Sequence, residues 1–380
     1  MKIVQFIDSM YTGGAETSVC NTALEMKRQG LDITVLCFSI RRGTANEDRL
    51  DSAGVKTVYL GEKCLQALHL QWAHDTFLRY VAMIFLLLPV FRKTIRKEQP
   101  DVLHMHLDAL LFYPFLTGKL KKKTKAFWTM HSDPKVIFSG GLLQGLRKRI
   151  MKRHAGIRVL SLNEAGKDIF QSLGFSNPVT VVRNGISMQR YRSAENAGKE
   201  IRAEFGIPEE AFVIGHIGRF GAGEAIKNQA FLVDVFSILS EKKPDAYLVL
   251  VGGGEPSFEL LEKISLSGKK DKILMLSDRS DVPELLSVPD VFVLPSKYEG
   301  FPMTLIEAQA AGLRCVVSDT VTKEAAITEK VSYLPLSAGK EKWAEMILAQ
   351  TDFEGVRGSL ADYDIETVVR NLTALYEKED

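Results

Sequence analysis

The 380-residue sequence predicts an α/β protein made of two doubly wound, parallel-sheet domains. Two observations carry this. Short, almost wholly apolar runs alternate with longer helical patterns along both halves, as expected for strands buried on both faces. Several of these runs lead straight into loops rich in glycine and charge, such as Gly218-Arg219 and Gly252-Gly253-Gly254. Such loops lie where this architecture binds ligands.

In the first half, residues 3–7, 33–37, 55–60, 101–106, 125–129 and 158–161 read as strands. Thr12-Gly13-Gly14-Ala15-Glu16-Thr17 opens a helix running to about Gln29, and a long helical stretch extends from about Leu70 to Lys97. A further strand, 179–186, ends in the turn signal Asn184-Gly185. The polar segment 187–199 has no strand period and reads as the linker. The second half repeats the logic, with strands over 212–218, 247–251, 273–275, 291–294 and 315–318 and a helix over 229–241. A last helix, about 365–378, follows Asp364 as its N-cap. The domains are therefore drawn as 1–188 and 189–360, both Rossmann-like and facing a central cleft, with 361–380 as a terminal segment.

Composition narrows the class. With 46% apolar and 25% charged residues, the chain has the make-up of a soluble globular protein. Cys20, Cys37, Cys64 and Cys315 show no metal-like spacing, which points to a reducing compartment without a disulfide framework. Met1-Lys2-Ile3-Val4 enters a strand directly, so no signal peptide is expected. The longest apolar run, residues 81–91, contains Pro89 and is too short to span a bilayer. The net charge of +2 hides an asymmetry: residues 1–190 carry 28 Lys and Arg against 15 Asp and Glu, and the remainder 21 against 32. Basic clusters at 119–125 and 147–153 fit anionic lipid headgroups or a solvated helix face. Nucleic acid is the weaker partner, because regularly interleaved aromatics and nucleic-acid motifs are missing.

The most informative stretch is Glu299-Gly300-Phe301-Pro302-Met303-Thr304-Leu305-Ile306-Glu307. It follows the buried run 291–294, and Pro302 suits the first turn of a helix. A strand, a tight loop and a helix N-terminus flanked by two carboxylates can hold a diphosphate and accept hydrogen bonds from hydroxyls. Glu-x7-Glu with Gly-Phe-Pro after the first Glu resembles the retaining GT-B glycosyltransferases of family 4, most closely the branch that builds bacterial capsular and exopolysaccharides. In that fold the terminal helix crosses back onto the first domain.

The remaining candidates are read beside this resemblance. Arg219 ends a strand and Lys227-Asn228 opens a helix, so two fixed cations can neutralise a diphosphate leaving group. The resemblance implies that role for both. Their spacing exceeds the family's usual one, and Gly221 and Gly223 between them predict a mobile loop. Gly13 and Gly14 let a ligand approach a helix start, although an ordinary βα turn explains them equally well. By resemblance they lie near the donor phosphates, and Glu16 and His131 near the acceptor, with His131 beside the transferred sugar. His104 and His106 share one strand face; a metal pair is conceivable, structure or cleft lining is preferred. Gly254 and Arg279 match the family's nucleobase region, where a plain loop is an equal reading. Asp362-Tyr363-Asp364 precedes the terminal helix and reads as capping, so no metal and no cofactor is expected.

These readings imply a retaining glycosyltransferase moving a sugar from a nucleotide-sugar, a UDP-sugar, to a saccharide hydroxyl. The expected acceptor is lipid-linked, and the enzyme is expected in the cytoplasm on the inner face of the membrane, aided by the apolar segment near Phe85. Arg219, Lys227, Glu299 and His131 would be catalytic. Gly13, Gly14, Gly254, Arg279, Gly300, Phe301, Pro302, Met303, Thr304, Leu305 and Glu307 would join them in holding the donor. A sugar-nucleotide 2-epimerase on the same fold and a non-catalytic sugar-nucleotide-binding subunit are the alternatives.

Overall fold

The computed structural model describes residues 1–11, 13–62, 77–194, 197–349 and 359–378, with side chains omitted for 77–86. Thr12, Cys64, the Leu70 end of the long helix and the Phe85 side chain lie outside the described residues. The chain forms two compact units, 1–185 with 365–380, and 186–364.

The first unit holds a seven-stranded, all-parallel sheet: β1 (Lys2–Ile7), β2 (Asp32–Cys37), β3 (Lys56–Tyr59), β4 (Val102–His106), β5 (Lys125–Met130), β6 (Arg158–Ser161) and β7 (Val179–Val181). Its order is β3-β2-β1-β4-β5-β6-β7. Chain direction across the sheet reverses between β1 and β4, and the C-terminal ends of these two strands are the topological switch point. The strands are apolar throughout because both faces are covered. One face packs on the helix Phe77–Glu98 through Phe6, Phe91 and Phe112. The other packs on the helices Gly14–Arg28 and Ile365–Glu377 through Val19, Met26, Val369 and Tyr376. Lys125 donates to the Tyr376, Glu377 and Lys378 carbonyls, and Arg158 to those of Leu375 and Lys378. These cations complement the C-terminal end of the helix dipole. Lys125, read as part of a lipid-binding cluster, is therefore committed to the fold.

The second unit repeats the design with six parallel strands: β8 (Phe212–Ile217), β9 (Ala246–Gly252), β10 (Ile273–Ser277), β11 (Val291–Leu294), β12 (Arg314–Ser318) and β13 (Val331–Leu334), in the order β10-β9-β8-β11-β12-β13. Here the switch point lies between β8 and β11. Residues 187–199, read as linker, instead carry the helix Met188–Ser193 and the start of the helix Ala197–Glu204. Met188 and Tyr191 are buried in the core of this unit, and Ile201, just past the stretch, joins a second cluster there, so a few apolar side chains anchor a polar stretch.

Candidate active site

The switch point of the second unit gathers most of the predicted site. β8 ends at Ile217, and Gly218 follows in a space that excludes a side chain. A Cβ there would lie 2.7 Å from His216 Nε2 and 2.9 Å from Lys227 Cγ. Gly252 is equally constrained, since its Cβ would lie 2.2 Å from the Gly218 carbonyl oxygen. Arg219 comes next and is exposed. Its stem lies over Gly223, where a Cβ would meet Arg219 Cβ at 2.8 Å. Gly221 takes φ +60°, a conformation glycine adopts at little cost.

The long Arg219–Lys227 loop, expected to be mobile, is instead tied down at its centre. Glu224 accepts hydrogen bonds from the Gly221 N–H at 2.9 Å, the Ser257 N–H at 2.8 Å and the Ser257 hydroxyl. Lys227 does not open the next helix. It ends the one-turn helix Glu224–Lys227, and Asn228, left-handed at φ 64°, starts the helix Gln229–Lys242. Asn228 Nδ2 donates to the Pro295 carbonyl, and the Lys297 N–H donates to the Ile226 carbonyl, lashing this loop to the one after β11.

That lashing brings the two predicted charges together. Lys227 Nζ lies 2.6 Å from Glu299 Oε1, which also accepts from the Ser296 hydroxyl at 2.6 Å. The pair is largely buried, with side chains 21% and 10% exposed. Ser296 is held in turn by the Ser318 and Thr320 hydroxyls, which both donate to its carbonyl. After Glu299, Phe301 stacks on Tyr363 with ring planes 9° apart. Pro302 is the N-cap of the helix Met303–Ala310, one position earlier than expected, and offers no side-chain cap. The Leu305 N–H turns back to the Pro302 carbonyl at 3.1 Å, and no side-chain cap covers the Met303 and Thr304 N–H groups. The buried Thr304 hydroxyl in this turn likewise has no partner among the described residues.

Glu307 sits one turn further along. Burial pushes its carboxyl up to about 7, opposed by a hydrogen bond from Tyr191 and the charge of Arg190. Arg279 is held within its own loop. It forms a two-pronged pair with Asp281, at 2.8 and 2.5 Å, and its guanidinium lies 5.6 Å from the Phe205 ring centroid. Gly254, at φ +90°, donates to the neighbouring Asp278, so this pair of candidates is brought into one loop cluster.

In the first unit, the ends of β1, β4 and β5 carry a second polar group. His131 follows β5, and its Nε2 lies 3.0 Å from His106 Nδ1. Burial lowers the His131 ring to about 4 and the His104 ring to about 3, and holds His106 far below its usual value. All three are neutral at physiological pH. Asp8, one residue past β1, accepts from the Asp108 N–H at 3.3 Å, and Arg147 pairs with Asp108. Burial and the Asp108 charge push the Asp8 carboxyl up to about 7. Gly13 caps the helix Gly14–Arg28 without a side-chain bond, and a Cβ at Gly14 would meet nothing within 4 Å. Glu16, in the first turn, adds to the negative field on Asp8.

Two family models match the chain. One, described as Glycosyltransferase Family 4, covers residues 12–190; the other, described as Glycosyl transferases group 1, covers 198–342. The chain belongs to the family 4 glycosyltransferases. EpsF of Bacillus subtilis (strain 168), named as a glycosyltransferase, is 29% identical over 352 residues, 91% of this chain and 86% of EpsF. The UDP-Gal:alpha-D-GlcNAc-diphosphoundecaprenol alpha-1,3-galactosyltransferase of Escherichia coli is 26% identical over 242 residues, 60% of each chain. Among solved structures, Anabaena HepE in complex with UDP and glucose is similar in fold, with a TM-score of 0.75 and 17% identity over the whole of both chains. That likeness is to the GT-B fold.

In this glycosyltransferase the sequence reading missed Asp8, Asp108, Arg147, Tyr191, Ser296 and Glu224. Asp8 carried a usable signal, since it is a carboxylate directly after a strand at the switch point. Tyr191 carried none, because nothing in the sequence pairs it with Glu307.

Proposed function

We propose that this glycosyltransferase moves a sugar from a UDP-sugar to a hydroxyl of a lipid-linked saccharide, with retention at the anomeric carbon and without a metal, in the synthesis of a bacterial surface polysaccharide. The observation that carries the reading is the convergence of Arg219, the Lys227–Glu299 pair and the uncapped helix Met303–Ala310 at one switch point. As the bond between sugar and phosphate breaks, negative charge gathers on the departing diphosphate. Arg219, Lys227 and the helix N-terminus are preorganised to stabilise it. Glu307 accepts hydrogen bonds from the ribose hydroxyls, and Glu299, with backbone groups from Gly300 to Thr304, orients the sugar. The family resemblance assigns His131, neutral and half-buried, to the transferred sugar.

The UDP-sugar and lipid-linked acceptor are supported by the name of the Escherichia coli relative and by the UDP and glucose bound to HepE. Work at an anionic membrane surface is supported by the helix Leu142–Arg153. Leu142 is 87% exposed, with Leu143 and Leu146 also exposed, and Lys148, Arg149, Lys152 and Arg153 continue the same solvent-facing side. A thermal-shift panel of UDP, GDP, ADP and their sugar conjugates in EDTA tests the donor site. A ligand at about 100 times its Kd adds about 2.7 kcal/mol of stability. Stabilisation by the uridine series in EDTA is expected. Stabilisation only with a divalent ion, or by another nucleobase, would overturn that part of the reading.

A further inference from the structure

The His131 ring is held from behind. His104 and His106 are two residues apart on β4 and so share one face of the sheet. Their ring centroids lie 4.1 Å apart. His106 pairs with Thr129 in the ladder to β5, which places His131, two residues beyond Thr129, on that same side. His104 is bonded at both nitrogens, Nδ1 to the Tyr376 hydroxyl at 2.6 Å and Nε2 to the Thr129 hydroxyl at 2.7 Å. The terminal helix and β5 thus lock His104, His104 backs His106, and His106 ends on His131.

We propose that His106 is a positioning residue for His131, fixing through its ring-to-ring hydrogen bond both the orientation of the His131 ring and the nitrogen that carries its proton. The inference rests on the reading of His131 as the histidine beside the transferred sugar. Two neutral imidazoles that share one hydrogen bond must be donor and acceptor, so their tautomers are coupled. The far side of His106 is also defined. Its Nε2 and both amide atoms of Gln5 have no partner among the described residues, and both side chains are buried. They line a chamber of about 20 Å3 together with His104, Thr129, His131, Arg183 and Asn184, and aliphatic side chains form much of the remaining wall. That space admits about one water molecule. No carboxylate is among the described residues that line it, and the cation Arg183 is, so the lining draws no second proton onto the stack.

His106→Asn and His106→Leu separate positioning from bulk packing. The Asn side chain can place a polar atom near the Nδ1 position, whereas Leu fills the space without a hydrogen bond. With the full-length protein, UDP-glucose and a diphosphoundecaprenol-linked saccharide as acceptor, H106L is expected to lower kcat by about 10- to 100-fold with donor KM little changed, as for a displaced reacting group. H106N is expected to recover most of the loss. Equal losses in both variants, or an unchanged kcat in H106L while His131→Ala loses turnover, would overturn the proposal. A readout independent of turnover is the ring 15N spectrum of 15N-histidine-labelled protein. One His131 tautomer is expected in the wild type and a mixture in H106L; identical His131 shifts in the two would overturn the proposal whatever the kinetics. If His131→Ala retained full turnover while the 15N shifts responded to H106L, the positioning would stand and the role of His131 beside the sugar would fall.

Discussion

Glu307 offers the sharpest test of the donor site, because its role requires a charge that burial opposes. Its carboxyl is pushed up to about 7 from an ordinary value of 4.5. A group with that value is about nine-tenths ionised at pH 8 and about one-tenth ionised at pH 6. If the ribose hydroxyls donate only to the carboxylate, the affinity for UDP-glucose follows the ionised fraction and falls about tenfold between those pH values, about 1.4 kcal/mol. UDP-glucose suits the experiment because its diphosphate does not titrate in this range. In Glu307→Gln the slope should vanish, and affinity at pH 8 should drop by the roughly 1.5–3 kcal/mol of a charge-assisted hydrogen bond. Stability carries the matching sign. The folded-state value is raised above the unfolded one, so the wild-type contribution is fully present below about 4.5 and lost as pH rises through about 7. The melting temperature of E307Q relative to wild type should therefore climb from pH 5 to pH 8. Calorimetric titration and thermal melts read both effects. Parallel pH profiles for wild type and E307Q would refute the reasoning.

Other consequences of the same geometry are open to direct measurement. Arg219→Ala should lower kcat by about 10²-fold, as for loss of a preorganised charge stabiliser, and wild-type turnover would remove Arg219 from that role. Gly223→Ala places a methyl 2.8 Å from Arg219 Cβ and should cut kcat/KM by about tenfold or more, while circular dichroism shows the fold intact. Glu299→Gln leaves Lys227 without its ionic partner and should cost about 1–3 kcal/mol in urea unfolding; an unchanged midpoint would mean the pair adds nothing. The double variant Leu142→Asp/Leu146→Asp touches exposed side chains only. It should abolish co-sedimentation with anionic vesicles without changing the melting temperature.

The strands were legible because parallel strands buried on both faces are apolar runs, and β6 and β11 fall on the expected residues. β13 was not, because Val331-Ser332-Tyr333-Leu334 is a short edge strand whose alternating pattern breaks the apolar run. The helix Met188–Ser193 looked like loop because its burial rests on Met188 and Tyr191 alone. In the site, Glu299 and Glu307 were readable from local spacing. The Lys227–Glu299 pair was not, because it depends on Asn228 turning left-handed and on Lys297 bonding to Ile226 across two strand ends. Asp8 and Asp108 meet only because β1 and β4 are neighbours in the sheet, and that adjacency follows from topology rather than from sequence proximity.

The central claim, transfer of a sugar to a lipid-linked acceptor, is tested most directly by partition of label. Purified protein is incubated in EDTA with UDP-[14C]glucose or UDP-[14C]galactose and a diphosphoundecaprenol-linked saccharide, then extracted with butanol. The account predicts label moving into the organic phase with one of the donors, dependent on acceptor and lost in Arg219→Ala. Label that never leaves the aqueous phase while the nucleotide sugar binds, or that is epimerised without any acceptor, would contradict it.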